Sequence, residues 1–389
     1  MREPSIRRRL WLPGSVALSI FCISPAGAYV TRWVREAPQV FVPLLTALFL
    51  AAGAALVAWA VRRLRWDLRR RLPWVIAALG LVALQQLLSD RGSPVEKTVE
   101  RMHFVLFGGL ATSLFWTIRG PDRAPGERAP GGMAIAALAL VATTWVAFAD
   151  ELLQAALMSR TGELFDVGLN LFAGMVGLIA ALGLFATELG WRGRPRVTRL
   201  ALIWLVPLPL LAALFLDRAH LGTQIEVEGL GAFRSFFSEE TLERLDRARA
   251  RRWARRLPPQ PPFDWWVLQD DFLVEGGWHV QARNRALEEG DLATVWIENT
   301  ILERFYSSIL DTGFPEDVHP YRLKPWDLQR LADAGLDRPG AVPPPAYGMA
   351  SEADRRRIWL VPSRAQAWGS ASLLSLVLAT AVAILRARG

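Results

Sequence analysis

The chain has one cysteine, Cys22, and it lies inside an apolar stretch. An internal disulfide and a cysteine-ligated zinc cluster are therefore excluded. Histidine is almost as scarce. His103, His220, His279 and His319 are the whole complement, with no HExxH and no close pair, so a dedicated zinc site is not indicated. Lysine occurs only at Lys97 and Lys324, and the net charge of +8 is carried almost entirely by arginine. No basic face with interleaved aromatics appears, which argues against a nucleic-acid partner. No solenoid-period repeat is present, and no cofactor is expected.

Apolar sequence is what the chain has in abundance. Hydrophobic residues make up 52% of it, gathered into long blocks at 10–30, 40–61, 73–88, 102–118, 133–149, 164–184, 200–216 and 367–385. A block of about 20 residues suffices to cross roughly 30 Å of hydrocarbon. The first block has two readings. It follows Arg2, Arg7, Arg8 and Arg9 and contains Ala26-Gly27-Ala28, which fits a cleavable signal peptide. A retained first span is the preferred reading, and both put the N-terminus in the cytoplasm.

Arginine then orients the blocks. The N-terminus, the 62–71 loop (RRLRWDLRRR), the 119–132 loop, the 192–199 loop and the C-terminus are all arginine-rich. With eight spans these regions share one side, which the positive-inside rule makes cytoplasmic. The loops at 31–39, 90–101 and 150–163 and the long region 217–366 fall outside. The expected fold class is all-α: a polytopic integral membrane helical bundle of about eight spans, with one extracytoplasmic, mainly helical domain. The expected location is a bacterial cytoplasmic membrane, with the C-terminus also cytoplasmic.

The outer region carries helix signals. Ser238 before Glu239 and Glu240 reads as an N-cap. Leu242, Leu245, Ala248 and Trp253 recur at helical spacing toward Arg256. Two further helices are expected over 272–289 and 293–310, divided by Gly290-Asp291. Strand alternation is confined to 225–227. Glu275 with His279, and Glu298 with Asn299 and Glu303, sit at helical spacings and read as solvated helix faces. The 249–256 arginine run reads as an exposed face that could touch anionic headgroups. Trp265-Trp266, beside Pro261-Pro262, reads either as an interfacial anchor or as core.

The stretch 148–177, FADELLQAALMSRTGELFDVGLNLFAGMVG, joins two apolar blocks through a dense polar junction. Ionisable groups at the hydrocarbon edge are costly, so they define a candidate site. Asp166, Asn170, Gly174 and Gly177 fall on one helix face, and the glycines permit close approach of a neighbour. Asp150 or Glu151 can pair with Gln154 one turn on, and Arg160 lies in the turn. Glu100, Arg101 and His103 stand at the outer end of another span. Three readings stay open. The cluster could be a polar network locking helix ends. It could bind or process a phosphate-bearing or lipid-linked substrate, with Arg101 and Arg160 on the anion and His103 with Asp150 or Glu151 as acid and base. It could hold magnesium or calcium on Asp150, Glu151, Asp166 and Asn170.

The ordered set ERMHFVLFGGLA, then DELLQ, then R-x-GEL-x-D-x-x-x-N-x-x-x-G resembles the VanZ-like membrane protein family over roughly residues 40–190. The resemblance implies that Glu100, His103, Asp150, Glu151, Gln154, Arg160, Asp166 and Asn170 are the family's polar positions here. It also implies a place in the cell envelope, in a family associated with resistance to the glycopeptide teicoplanin, and no particular reaction. Met158-Ser159 stands where the family often has proline before the arginine. The domain plan is then 1–39 for the first span or signal, 40–190 for the VanZ-like transmembrane domain, 191–216 for an additional span, 217–366 for the outer domain and 367–389 for the last span. Expected partners are membrane lipids, a lipid-linked envelope precursor, and an envelope protein meeting 217–366. Recognition of an envelope compound is the leading functional expectation. A hydrolase or transferase acting on a lipid-linked phosphate, and an assembly factor, are the alternatives.

Overall fold

The computed structural model describes residues 10–44, 68–88, 101–120, 131–185, 195–227, 230–260, 267–336, 358–360 and 362–387, with Gly190 and a few positions between 46 and 58. Glu100, Trp265, Trp266 and most of the 40–61 block lie outside them. The chain divides into two compact units. One comprises 1–154, 162–213 and 370–389. The other comprises 155–161 and 214–369.

The first unit is helical. Its elements are α1 (Trp11–Glu36), α2 (Leu68–Leu88), a π-helical turn (Phe104–Gly108), α3 (Gly109–Arg119), α4 (Gly132–Ala155), α5 (Leu164–Phe185) and α6 (Pro195–Leu205), then the first part of α7 (Leu208–Ala219). Pro207 separates α6 from α7 because it has no N–H to donate and its ring clashes with the preceding turn. Among the described residues, four stretches are long and apolar enough to span a membrane: Gly132–Ala155, Leu164–Phe185, Arg196–Ala219 and Arg364–Leu385. Shorter apolar helices run Trp11–Ile23 and Pro73–Gln85. The core gathers Ala111, Phe115, Ile135, Ala139, Leu178 and Ala181, all buried.

Helix α5 is central, and its small residues explain why. A Cβ on Gly177 would overlap the backbone of Gly108, and one on Gly183 would overlap the side chain of Trp74. The Thr112 hydroxyl donates to Gly177 O at 3.0 Å, which ties the two helices where they approach most closely. At Gly174 the neighbour is Thr143 Cγ2. Close backbone approach of this kind suits helix pairs in lipid, where association relies on van der Waals packing.

The second unit combines a hairpin with helices. Strand β1 (Thr223–Val227) pairs antiparallel with β2 (Gly231–Ser235), with Ile225 opposite Phe233. The sequence showed only the first of these strands. Then come α8 (Glu239–Trp253), α9 (Asp271–Glu289), α10 (Leu292–Phe305), α11 (Ser307–Leu310) and α12 (Pro325–Asp333). Ser238 caps α8 by accepting from Thr241 N. Gly290 ends α9 at φ 79°, a left-handed conformation that glycine adopts without strain. Asp291 then caps α10 through Thr294 N at 3.1 Å. The helix expected over 293–310 breaks at Tyr306. Asp246 of α8 starts the next turn, accepting from Ser308 N at 2.9 Å and from the Ser307 hydroxyl at 2.7 Å.

Residues 155–161 belong to this second unit. Leu157 bridges Leu268, Met158 N donates to Val267 O and Gln269 N donates to Ala156 O. The last helix, α13 (Arg364–Ala387), begins in this unit and ends in the first. Its Arg364 pairs with Asp217 at 2.9 Å and also donates to Leu221 O and Phe236 O. Beside this clamp the His220 ring stacks on Trp359, with centroids 4.5 Å apart.

Candidate functional site

Two polar sets lie inside the first unit. One sits near the end of α4. Asp150, Glu151 and Gln154 occupy adjoining positions one turn apart, and all three are buried. Gln154 Nε2 donates to Asp150 Oδ2 at 3.1 Å and to Glu151 Oε1 at 3.0 Å. The amide thus bridges both carboxylates. The second oxygen of Glu151 accepts from Glu163 N at 3.1 Å, just before α5 begins. Glu163 O in turn accepts from Asp166 N at 3.0 Å. Asp166 itself is half-buried in the first turn of α5, where an acid complements the helix dipole.

The other set joins His103 to Asn170. His103 Nδ1–H donates to Asn170 Oδ1 at 2.5 Å. Asn170 is fully buried, and its Nδ2 has no hydrogen-bond partner among the described residues. Whichever way the amide is turned, one polar atom meets the imidazole and the other is unmatched. The π-helical turn begins immediately after His103 and ends at Gly108, the residue against Gly177. Single π turns are costly and recur at functional sites. Here the turn carries Phe107, which stacks on the His103 ring, and Phe104, which meets Phe172 edge-on at 6.0 Å.

The other expected site residues fall as follows. Arg101 donates to Thr46 Oγ1 at 3.1 Å. Arg160 is half-buried, belongs to the second unit and donates from its backbone to Leu157 O. Glu100 lies outside the described residues. The hydrogen bond of His103 goes to Asn170 and to neither Asp150 nor Glu151. Among the described residues no three histidine, cysteine, aspartate or glutamate side chains are grouped to hold a metal ion.

The second unit holds a polar column that the sequence reading misjudged. Glu275, His279 and Glu298 were expected on solvated helix faces; all three are buried, and so is Arg283 beside them. Only Glu303 is exposed, and Asn299 is half-buried. Glu275, His279 and Arg283 stand one turn apart on α9. Glu275 accepts from the Tyr306 hydroxyl at 2.7 Å and from Phe236 N at 3.1 Å. Burial pushes its carboxyl above the ordinary carboxylate range, opposed by the Ser235 and Tyr306 hydroxyls, His279 and the Phe236 N–H. His279 Nδ1 pairs with Glu298 Oε2 at 2.6 Å. Arg283 donates to Asn299 Oδ1, Asn284 Oδ1 and Tyr321 O, and burial lowers it to about 10.

The missed signal was the face and not the residue type. Phe272, Gly276, His279, Arg283 and Ala286 share one helical stripe, so the polar residues stand in register with core positions. Removing one partner of such a buried pair leaves an uncompensated charge, at a cost of about 3–5 kcal/mol.

These elements define a mostly helical protein that has, among the described residues, four helical stretches long and apolar enough to cross a membrane. Compared with known proteins, the chain matches no family model, no curated protein and no solved structure. Any functional reading therefore rests on the residues themselves.

Proposed function

We propose that the chain is a VanZ-like membrane protein of the cell envelope. Its polar cluster recognises an envelope lipid, a lipid-linked precursor or a glycopeptide-type compound. The observation that carries this reading is Asn170. It is a buried amide on an apolar helix, held by His103 on one side and unmatched on the other. An unmatched buried donor costs about 1–3 kcal/mol, and a ligand acceptor would offset that cost. The buried Asp150–Gln154–Glu151 set near the end of α4 supplies further acceptors of the kind that hydroxyl-rich headgroups meet. The topology proposed with it is a bundle of about eight spans, with cytoplasmic termini and residues 217–366 outside, supported by the alternation of arginine-rich loops.

The enzymatic alternative draws less support. The His103 partner is an amide, whereas an imidazole base is ordinarily oriented by a carboxylate. Native mass spectrometry of the purified full chain tests the proposal. A co-purifying envelope molecule should be present, and His103→Ala or Asn170→Ala should lose it while insertion in the membrane persists. If both variants keep the same bound molecules and merely melt earlier, the cluster is a helix lock and the proposal fails.

A further inference from the structure

We infer that the C-terminal half of α8 and the residues after it form a docking surface for anionic phospholipid headgroups. Arg247, Arg251, Arg255 and Arg256 are exposed, and none pairs with a carboxylate among the described residues. Arg247, Arg251 and Arg255 succeed one another at four-residue steps, so they lie along one line. The acids of the same helix, Glu239, Glu240, Glu243 and Asp246, all precede this segment, Glu239 pairing with Arg304 and Asp246 with the start of α11, and no acid follows within 247–257. The charge is therefore uncompensated where the helix ends.

Aliphatic side chains accompany the arginines. Leu257 is 44% exposed and Leu268 is 75% exposed. Leu268 stands two residues before Asp270, which binds Arg249 at 2.8 Å and Arg252 at 3.8 Å. Leu257 follows Arg255 and Arg256 directly, and an exposed leucine next to arginines is the composition of an interfacial surface, where apolar groups enter the acyl boundary and cations meet phosphate. The buried Trp253 is not part of it; its ring packs against Phe272.

The connections of this unit favour a bilayer over a soluble anion. Helix α7 enters it from one apolar stretch of spanning length and α13 leaves it into another. The Asp217–Arg364 pair holds those two entry points together. A surface so tethered meets headgroups at high effective concentration.

Each arginine near an anionic bilayer strengthens docking about fivefold, so removing four weakens it several-hundred-fold. The test is hydrogen exchange of residues 244–257 in the full chain, reconstituted in nanodiscs of phosphatidylcholine alone or mixed with phosphatidylglycerol. Exchange should slow in the mixed discs and recover at high salt. The variant Arg247→Gln, Arg251→Gln, Arg255→Gln, Arg256→Gln should show no difference between the two discs. Equal exchange of the unaltered chain in both lipids overturns the inference. So does protection by inorganic phosphate in phosphatidylcholine discs, which marks a small-anion site, and so does protection retained by the variant.

Discussion

Substituting Gly177 by alanine tests the geometry on which the His103–Asn170 pair depends. The added Cβ would lie 2.8 Å from Gly108 C and closer still to its Cα and O. Ordinary carbon contacts sit near 3.5–4.0 Å, so α5 and the π turn must part by about 1 Å. A gap of that size forfeits roughly a quarter to a half of the dispersion energy along the seam. The obstacle is backbone, so no rotamer change relieves it. We expect a net loss of about 2–3 kcal/mol, in the upper range for overpacking. Gly174→Ala meets one side-chain methyl rather than backbone, Thr143 Cγ2 at 3.0 Å, and should lose less, about 1 kcal/mol. Gly109 and Gly168 have nothing within 4 Å of an added Cβ, and alanine there should gain about 0.5–1 kcal/mol from helix propensity. Thermal unfolding of the detergent-solubilised chain should rank the four variants in that order. Gly177→Ala should also weaken retention of any co-purifying molecule, because Asn170 lies about two turns earlier on the same helix. A Gly177→Ala protein as stable as Gly109→Ala would refute the close approach.

Three further outcomes follow from the second unit. Burial raises the Glu275 carboxyl above its ordinary value of 4.5; its linked stability is full below that value and is lost as pH rises through the folded-state value. Glu275→Gln should flatten that slope in the hydrogen exchange of α9. His319 is the opposite case: its Nδ1 accepts from Tyr321 N and Arg322 N, and burial, then Arg322 and Lys324, lower it from 6.5. Its contribution is therefore full above pH 6.5 and lost as pH falls, and in His319→Asn the exchange of residues 311–324 should no longer accelerate with acid. Arg364→Met removes a half-exposed ion pair and two carbonyl contacts. About 1 kcal/mol is expected, read as faster exchange in β1 with the helices of the first unit unchanged.

The apolar blocks made α4 and α5 legible, because membrane-length runs carry their own boundaries. The glycine seam was legible too, since 174 and 177 follow 170 on one face. The π turn after His103 was not, because nothing in FVLFG differs from ordinary apolar helix. The break at Tyr306 depends on Asp246, sixty residues earlier, and no local signal announces it. The buried column failed for another reason. Charged side chains were assigned to solvent by type, although their spacing matched Phe272 and Ala286 on the core stripe. At the α4 end the one-turn spacing made the pairing of Gln154 with Asp150 or Glu151 legible, though not that the amide bridges both acids, and nothing in the sequence announced that His103 takes an amide.

The seven residues 155–161 set an order of assembly. They emerge from the ribosome over a hundred residues before Val267 and Gln269, the groups their backbone must meet. Until then Leu157 and Met158, both buried in the finished protein, have nowhere to pack. The second unit is thus completed by a segment made long before it, and cannot be removed cleanly as a cassette. A chain lacking 230–360 would leave that segment bare, and its behaviour would report on an orphaned segment as much as on a missing domain.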